Sequence, residues 1–205
     1  MFTIKQIYKA DYRIKGSKFH GFLCPAADTG TAGQALDKIK DEHPTATHHC
    51  YAWRINPNDV VEFDQDDGEP GGTAGLPILN AMKSADLMNA ILIVVRYYGG
   101  TKLGKAGLID AYGHTGELCI ESADLKPLVP IQKFKITYDY SRQSIINKLK
   151  NDFTWIEIDA SYLQNVTVTC GCPKEEAARF EKSLLSRQHH FDDVEVLEES
   201  WVIRS

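Results

Sequence analysis

The chain predicts an α+β protein of two domains, and three features of its pattern carry that prediction. From Lys133 onward, segments read strand, helix, strand, strand, helix, strand. Before that point, short strand candidates alternate with amphipathic helices, and between the two regions the stretch SADLKPLVPIQ places two prolines just after a long helical run. The domains divide as residues 1–129 and 130–205.

In the first domain, strands are expected near Thr3 to Tyr8 and Lys18 to Cys24, followed by a helix from Thr31 to Glu42 with Ala35, Leu36 and Ile39 on one side. His48 to Ile55 and Val60 to Asp64 read as strands. Pro77 suits the first position of a helix, since it has no N–H to leave unpaired there. Ala90 to Arg96 follows as a strand, then a helix from about Leu103 to Ser122. The expected arrangement is helices packed on one sheet.

In the second domain, KFKITYDY sets Phe134, Ile136, Tyr138 and Tyr140 against Lys133, Lys135, Thr137 and Asp139, the alternation of a half-buried strand. Ser141 is a candidate cap for a helix carrying Ile145, Ile146 and Leu149. WIEID and NVTVTC read as strands around a turn at Ala160 and Ser161; a helix begins at Pro173, with Ala177, Phe180 and Leu184 at helical spacing, and VEVLEESWVI closes the segment. The order β-α-β-β-α-β is the ferredoxin-like arrangement, one antiparallel sheet with two helices on one face.

Composition narrows the function classes. The formal charge of −5 argues against bulk attraction to nucleic acid, so a polyanion must be held by a local cluster. The five cysteines, Cys24, Cys50, Cys119, Cys170 and Cys172, form no spaced framework and fit reduced thiols. The longest apolar run, Ala90 to Val95, is too short to span a bilayer, and the first residues lack the apolar core of a secretion signal, so a cytoplasmic location without membrane partners is expected. No cofactor is expected, and the oligomeric state is left open.

Two glycine-rich loops of opposite charge stand out. FDQDDGEPGGTAGLPIL brings Asp64, Asp66, Asp67 and Glu69 to the start of a helix, where carboxylates satisfy N–H groups and the helix dipole. The alternative is a divalent-cation site on Asp66, Asp67 and Glu69, although the spacing departs from the calcium-loop pattern. RYYGGTKLGKAG combines Arg96, Lys102 and Lys105 with Gly99, Gly100 and Gly104 at a helix N-terminus, where cations and unpaired N–H groups converge on an anion. Gly99, Gly104 and Lys105 fit the triphosphate-loop spacing, but Ala106 has no hydroxyl to hold magnesium, so nucleotide hydrolysis is not expected. Lys15, Lys18 and Arg54 extend the basic cluster if their strands lie beside it, and Tyr97 and Tyr98 are candidates to stack on bases. Any pairing of Asp66 or Asp67 with Arg96 or Lys102 would fill part of this site from within.

The blocks KGSKF, THHCYAWR, DDGEPGGTAGLPIL and VVRYYGGTKLGKAGLIDAYG resemble, in order, the signature blocks of the YigZ/IMPACT family, across most of Lys15 to Asp124. Asp66, Asp67, Gly68, Glu69, Pro70, Gly72, Thr73, Ala74 and Gly75 match the first glycine block; Arg96, Tyr97, Gly99, Gly100, Lys102, Leu103 and Gly104 match the second. The family often has Ser at the position of Gly71 and a small residue at that of Lys105, so Lys105 is a feature of this chain. The resemblance implies a first domain similar to the second domain of a small-subunit ribosomal protein, and a second, ferredoxin-like domain similar to the last domain of the translocation elongation factor. It also implies a part in translation, because eukaryotic IMPACT proteins regulate translation through a partner that controls an initiation-factor kinase.

The expectation is a noncatalytic regulatory protein associated with translation, binding RNA or the ribosome through the basic glycine loop. Two alternatives are a metal-dependent hydrolase built on Asp66, Asp67 and Glu69, with Lys102 on a phosphate oxygen, and a regulator that docks a protein partner in translation control on the acidic loop.

Overall fold

The uninterrupted run Ala90 to Val95 is fully buried because its strand lies at the centre of a sheet covered on both faces. The computed structural model describes residues 1–204, and the chain forms two compact units, residues 1–127 and 128–204. Among the described residues no helix is long and apolar enough to cross a membrane.

In the first unit, β2 (Tyr8–Ile14), β3 (Ser17–Pro25), β4 (His48–Ile55), β5 (Val61–Gln65) and β6 (Ala90–Tyr97) follow the short β1 (Phe2–Thr3). They form an antiparallel sheet in the order β2-β3-β6-β4-β5. Helix α1 (Thr29–Glu42) covers one face, with Ala32, Leu36 and Ile39 packed on Phe22, Ile91, Ile93 and Val95. On the other face α2 (Gly75–Ser84) and α3 (Gly104–Glu121) bury Ile78, Met82, Leu108 and Tyr112 against Phe19, Leu23, Leu92 and Val94. One sheet carries all three helices, but on both faces.

The interior glycines of α3 are explained by close packing. A Cβ on Gly116 would lie 3.1 Å from Leu92 Cδ2 and 3.4 Å from Ala81 Cβ. From the sheet side, Gly21 on β3 leaves room for the Cys119 thiol. The cost of glycine in the helix, about 1 kcal/mol each, is offset by the approach of helix to sheet.

The second unit takes up β7 (Lys126–Tyr138), α4 (Gln143–Asp152), β8 (Ile156–Tyr162), β9 (Val166–Pro173), α5 (Lys174–Leu185) and β10 (Asp193–Ile203). Lys126 and Pro127, the first residues of β7, belong to the first unit and pair there with β1, and the remainder pairs with β9 and β10. The order β8-β9-β7-β10 is the ferredoxin-like topology. Phe134, Ile136 and Tyr138 point into a core with Ile146, Leu149, Phe180 and Leu184. Phe180 is its centre, edge-on to Phe134 at 4.9 Å and to Phe153 at 5.2 Å.

Several boundaries differ from the sequence reading. The first long strand is Tyr8–Ile14, because Tyr8, Ala10, Tyr12 and Ile14 pack on the core while Lys9, Asp11 and Arg13 face water. Pro77 is the third helical residue of α2, which begins at Gly75. Ala160 and Ser161 lie within β8, and the chain reverses at Leu163 to Asn165. Ser141 does not cap α4; it donates its N–H to the Asp139 side chain in a preceding 3-10 turn that also contains the exposed Tyr140. Both prolines of the linker stretch sit inside β7.

Candidate functional site

The β2–β3 hairpin turns through Lys15 and Gly16, both at positive φ, 46° and 80°, the geometry that lets a two-residue turn follow strand twist. Its tip lies against the loop after β6. A Cβ on Gly99 would strike the Gly16 carbonyl group and the Ser17 nitrogen, so only glycine allows the two backbones to touch. Ser17, fully buried, joins them through its hydroxyl, which accepts the N–H of Gly99 at 3.2 Å. Thr47 Oγ1 accepts the N–H of Tyr98 at 3.0 Å. Blocks separated by about eighty residues thus meet at one corner of the sheet.

The acidic loop arrives at the same corner from β5. Asp66 Oδ1 accepts the N–H groups of Ala74 and Gly75, each at 2.9 Å, and Oδ2 that of Gly72 at 2.7 Å. Burial opposes its charge, but these N–H groups together with that of Thr73 outweigh it and hold the carboxyl below the usual range. Asp66 therefore does the work that α2 has no side-chain cap to do. Asp67 accepts the N–H of His49 at 2.6 Å. Glu69, with its side chain 4% exposed, meets Arg96 Nη1 at 2.5 Å, the Tyr112 hydroxyl at 2.7 Å and His48 Nε2 at 3.8 Å. Burial, then the neighbouring Cys50 and Glu69, push the Tyr112 phenol far up, so it serves as a neutral donor.

Arg96 is the link between the loops. Its guanidinium lies 5.4 Å from the ring centres of both Phe19 and Tyr98, and Nη2 is 3.4 Å from Ser17 Oγ. With 4% exposure it organises the corner from inside, and its Nε has no partner among the described residues. The two loops do engage one another, through Glu69 and Arg96 rather than through Asp66 or Asp67.

What remains outward is the lysine set. Lys102 and Lys105 are exposed, and among the described residues neither forms an ion pair. They sit at the start of α3, whose first turn has no side-chain cap and no acidic residue. Gly100 and Gly104 take φ of 85° and 74°, turning the chain into that helix. Two cations at the positive end of an 18-residue helix are an unfavourable arrangement until an anion joins them. A cleft of about 350 Å³ opens beside them, lined by Glu69, Pro70, Arg96, Tyr98, Lys102, Leu103, Gly104, Lys105 and Leu108.

Of the remaining sequence candidates, Lys15 and Lys18 are exposed and belong to this corner, with Lys18 paired in register with Tyr97. Arg54 does not join them. It stands opposite Ala90, at the other end of β6, held by Glu62 at 3.0 Å and by the Leu87 carbonyl at 3.1 Å. The carboxylates proposed for a cation are each engaged inside the protein, and among the described residues no group of three or more His, Cys, Asp or Glu side chains converges on a metal position. Of these carboxylates, Glu69 is 4% exposed and Asp67 keeps 40% of its side chain exposed. All five thiols are buried; burial raises Cys24 to about 11 and Cys119 to about 12, which leaves them unreactive near neutrality.

Sequence reasoning missed Ser17, Thr47, Tyr112 and the histidines beside Tyr97. His43 Nδ1 lies 2.9 Å from the Tyr97 hydroxyl, and the His20 ring stacks on His43 at 5.8 Å. No local pattern signals these contacts, since each partner comes from a different element.

The family model described as the Impact N-terminal domain matches residues 15–120. A Bacillus subtilis (strain 168) protein named IMPACT family member YvyE is 42% identical over 112 residues, 55% of this chain and 52% of that protein, so the match spans about half of that relative's length. A Haemophilus influenzae protein named IMPACT family member is 32% identical over 176 residues, covering 85% of each chain. A crystal structure described as that of a hypothetical protein superposes with a TM-score of 0.68 at 26% identity, covering 96% of this chain and 95% of the other.

Proposed function

The chain belongs to the IMPACT family, and from that premise we propose that it is a noncatalytic regulatory protein of the cytoplasmic translation apparatus that binds RNA, alone or in the ribosome, through its basic glycine loop. One observation carries the binding part: Lys102 and Lys105 stand exposed at the uncapped start of α3, without ion pairs among the described residues, in the loop whose Gly99 packs on the hairpin that carries Lys15 and Lys18. An anion there satisfies helix N–H groups and relieves repulsion between cations in a single step. A polymer suits the site better than a free phosphate, because Lys102 and Lys105 line one cleft and Lys18 another, and a net-acidic chain binds only by aligning several local contacts. The translational part rests on the family, whose eukaryotic members regulate translation.

The test is equilibrium binding of the full chain to purified ribosomes and to a structured RNA over a range of salt concentrations. Binding is expected to weaken steeply with salt. The Lys102→Ala, Lys105→Ala double variant is expected to flatten the slope of log K against log salt by about 1.5, the loss of two phosphate contacts. Equal affinity and equal slope for both proteins would remove the loop from the interface.

A further inference from the structure

Tyr98 separates two clefts. On one side lies the opening formed with Lys102, Gly104 and Lys105; on the other lies a second opening of about 380 Å³ lined by Gly16, Lys18, His20, His43, Tyr97 and Tyr98. Tyr98 is 45% exposed and is the residue common to both. Its backbone is pinned by Thr47, and the buried guanidinium of Arg96 lies 5.4 Å from its ring centre. An aromatic ring fixed over a cation, with the rest of its surface in water, is a prepared stacking platform. Tyr97 is not a second one, because its hydroxyl is held by His43 and its ring lies edge-on to His20 at 5.7 Å.

The second cleft has its own recognition chemistry. His20 Nδ1 contacts Asp11 Oδ1 at 2.6 Å. A carboxylate can only accept, so that nitrogen carries the hydrogen and Nε2 of neutral His20 is an acceptor. His43 is engaged at Nδ1 by the Tyr97 hydroxyl, and among the described residues no partner holds Nε2 of either ring. Lys18 stands alongside as an exposed ammonium. One wall therefore offers a cation for phosphate together with ring nitrogens for polar base edges.

Building on the proposed RNA-binding role, we infer that the ligand is an unpaired strand crossing Tyr98: one base stacks on the Tyr98 ring, the phosphate on one side sits at Lys102, Lys105 and the start of α3, and the strand continues on the other side past Lys18, His20 and His43. A duplex cannot use this arrangement, because its bases are already stacked and a protruding ring between two clefts holds its backbone away from one or both cationic walls.

The experiment measures anisotropy of the full-length protein with a labelled 12-nucleotide RNA, single-stranded and as the duplex of the same sequence, with 2-aminopurine at a central position of a parallel single strand to report stacking. The single strand is expected to bind more tightly. Tyr98→Ala is expected to lower single-strand affinity about tenfold, leave its salt slope unchanged and abolish the 2-aminopurine quenching, while Tyr98→Phe retains all three. Lys18→Ala is expected to flatten the single-strand slope by about 0.7. If Tyr98→Ala binds and quenches like the wild type, or the duplex binds as well as the single strand, the Tyr98 track is wrong. In that event a loss of affinity in the Lys102→Ala, Lys105→Ala variant still upholds the basic loop. Absence of RNA binding by the wild type at low salt overturns both.

Discussion

Glu69 and Arg96, twenty-seven residues apart in sequence, form an ion pair at 2.5 Å with side chains 4% and 5% exposed. The pair ties the acidic loop to the end of β6, and Tyr112 of α3 donates to the same carboxylate oxygen. Removing one partner leaves an uncompensated charge in the interior, so Glu69→Ala is expected to cost about 3 to 5 kcal/mol. Replacing both, as Glu69→Leu with Arg96→Met, is expected to cost less than the sum of the two single changes. Chemical denaturation of the four proteins of this cycle measures the coupling.

Asp66 is expected to make stability depend on acid. Its folded carboxyl titrates below its ordinary value, so its contribution is complete above the unfolded value of about 4 and is lost as pH falls through the lower folded value. Asp66→Asn removes that charge. The stability gap between wild type and variant, followed by urea unfolding at several pH values, is expected to be constant near neutrality and to close below about pH 4. A gap that persists unchanged at low pH would show that hydrogen-bond geometry alone, without charge, accounts for the effect.

Gly99→Ala is expected to destabilise the first unit by about 3 kcal/mol, because a Cβ there meets backbone of Gly16 and Ser17 and no side-chain rotation relieves it. Gly71→Ala is the control. Nothing lies within 4 Å of a Cβ at that position, and a change within about 0.5 kcal/mol is expected in the same thermal melt.

Phe180→Ala is expected to cost about 3 to 5 kcal/mol in the second unit, since the ring is 1% exposed and is shared by Phe134, Phe153 and Trp155. Near-ultraviolet circular dichroism should lose its aromatic signal at lower denaturant than in the wild type. Retention of the wild-type midpoint would show that the core does not depend on this ring.

Element type was readable where burial imposes a period. β6 shows it as an unbroken apolar run, and β7 shows it as the alternation of Phe134, Ile136 and Tyr138 with lysines and threonine. Reading failed where exposure weakens the period. β8 keeps only scattered apolar contacts, so nothing in its sequence separates Ala160 and Ser161 from a turn, and the true reversal at Leu163 to Asn165 lacks glycine or proline. The glycine loops were visible from composition, and the depth at which Arg96 lies was not. A basic residue next to glycines looks the same in sequence whether it faces an anion or a buried glutamate.

By itself, the sequence determined the α+β class, the ferredoxin-like order of the second unit and the presence of two loops of opposite charge, because periodicity and turn chemistry act over a few neighbouring residues. Only the tertiary structure decided which of those charges remain available. Sheet order set Arg54 at one end of β6 and Arg96 at the other, and it brought Glu69 onto Arg96 while leaving Lys102 and Lys105 in water. That division follows from the physics of burial: in the interior a charge requires a partner, and chain topology, which no local pattern encodes, determines the partner each charge can reach.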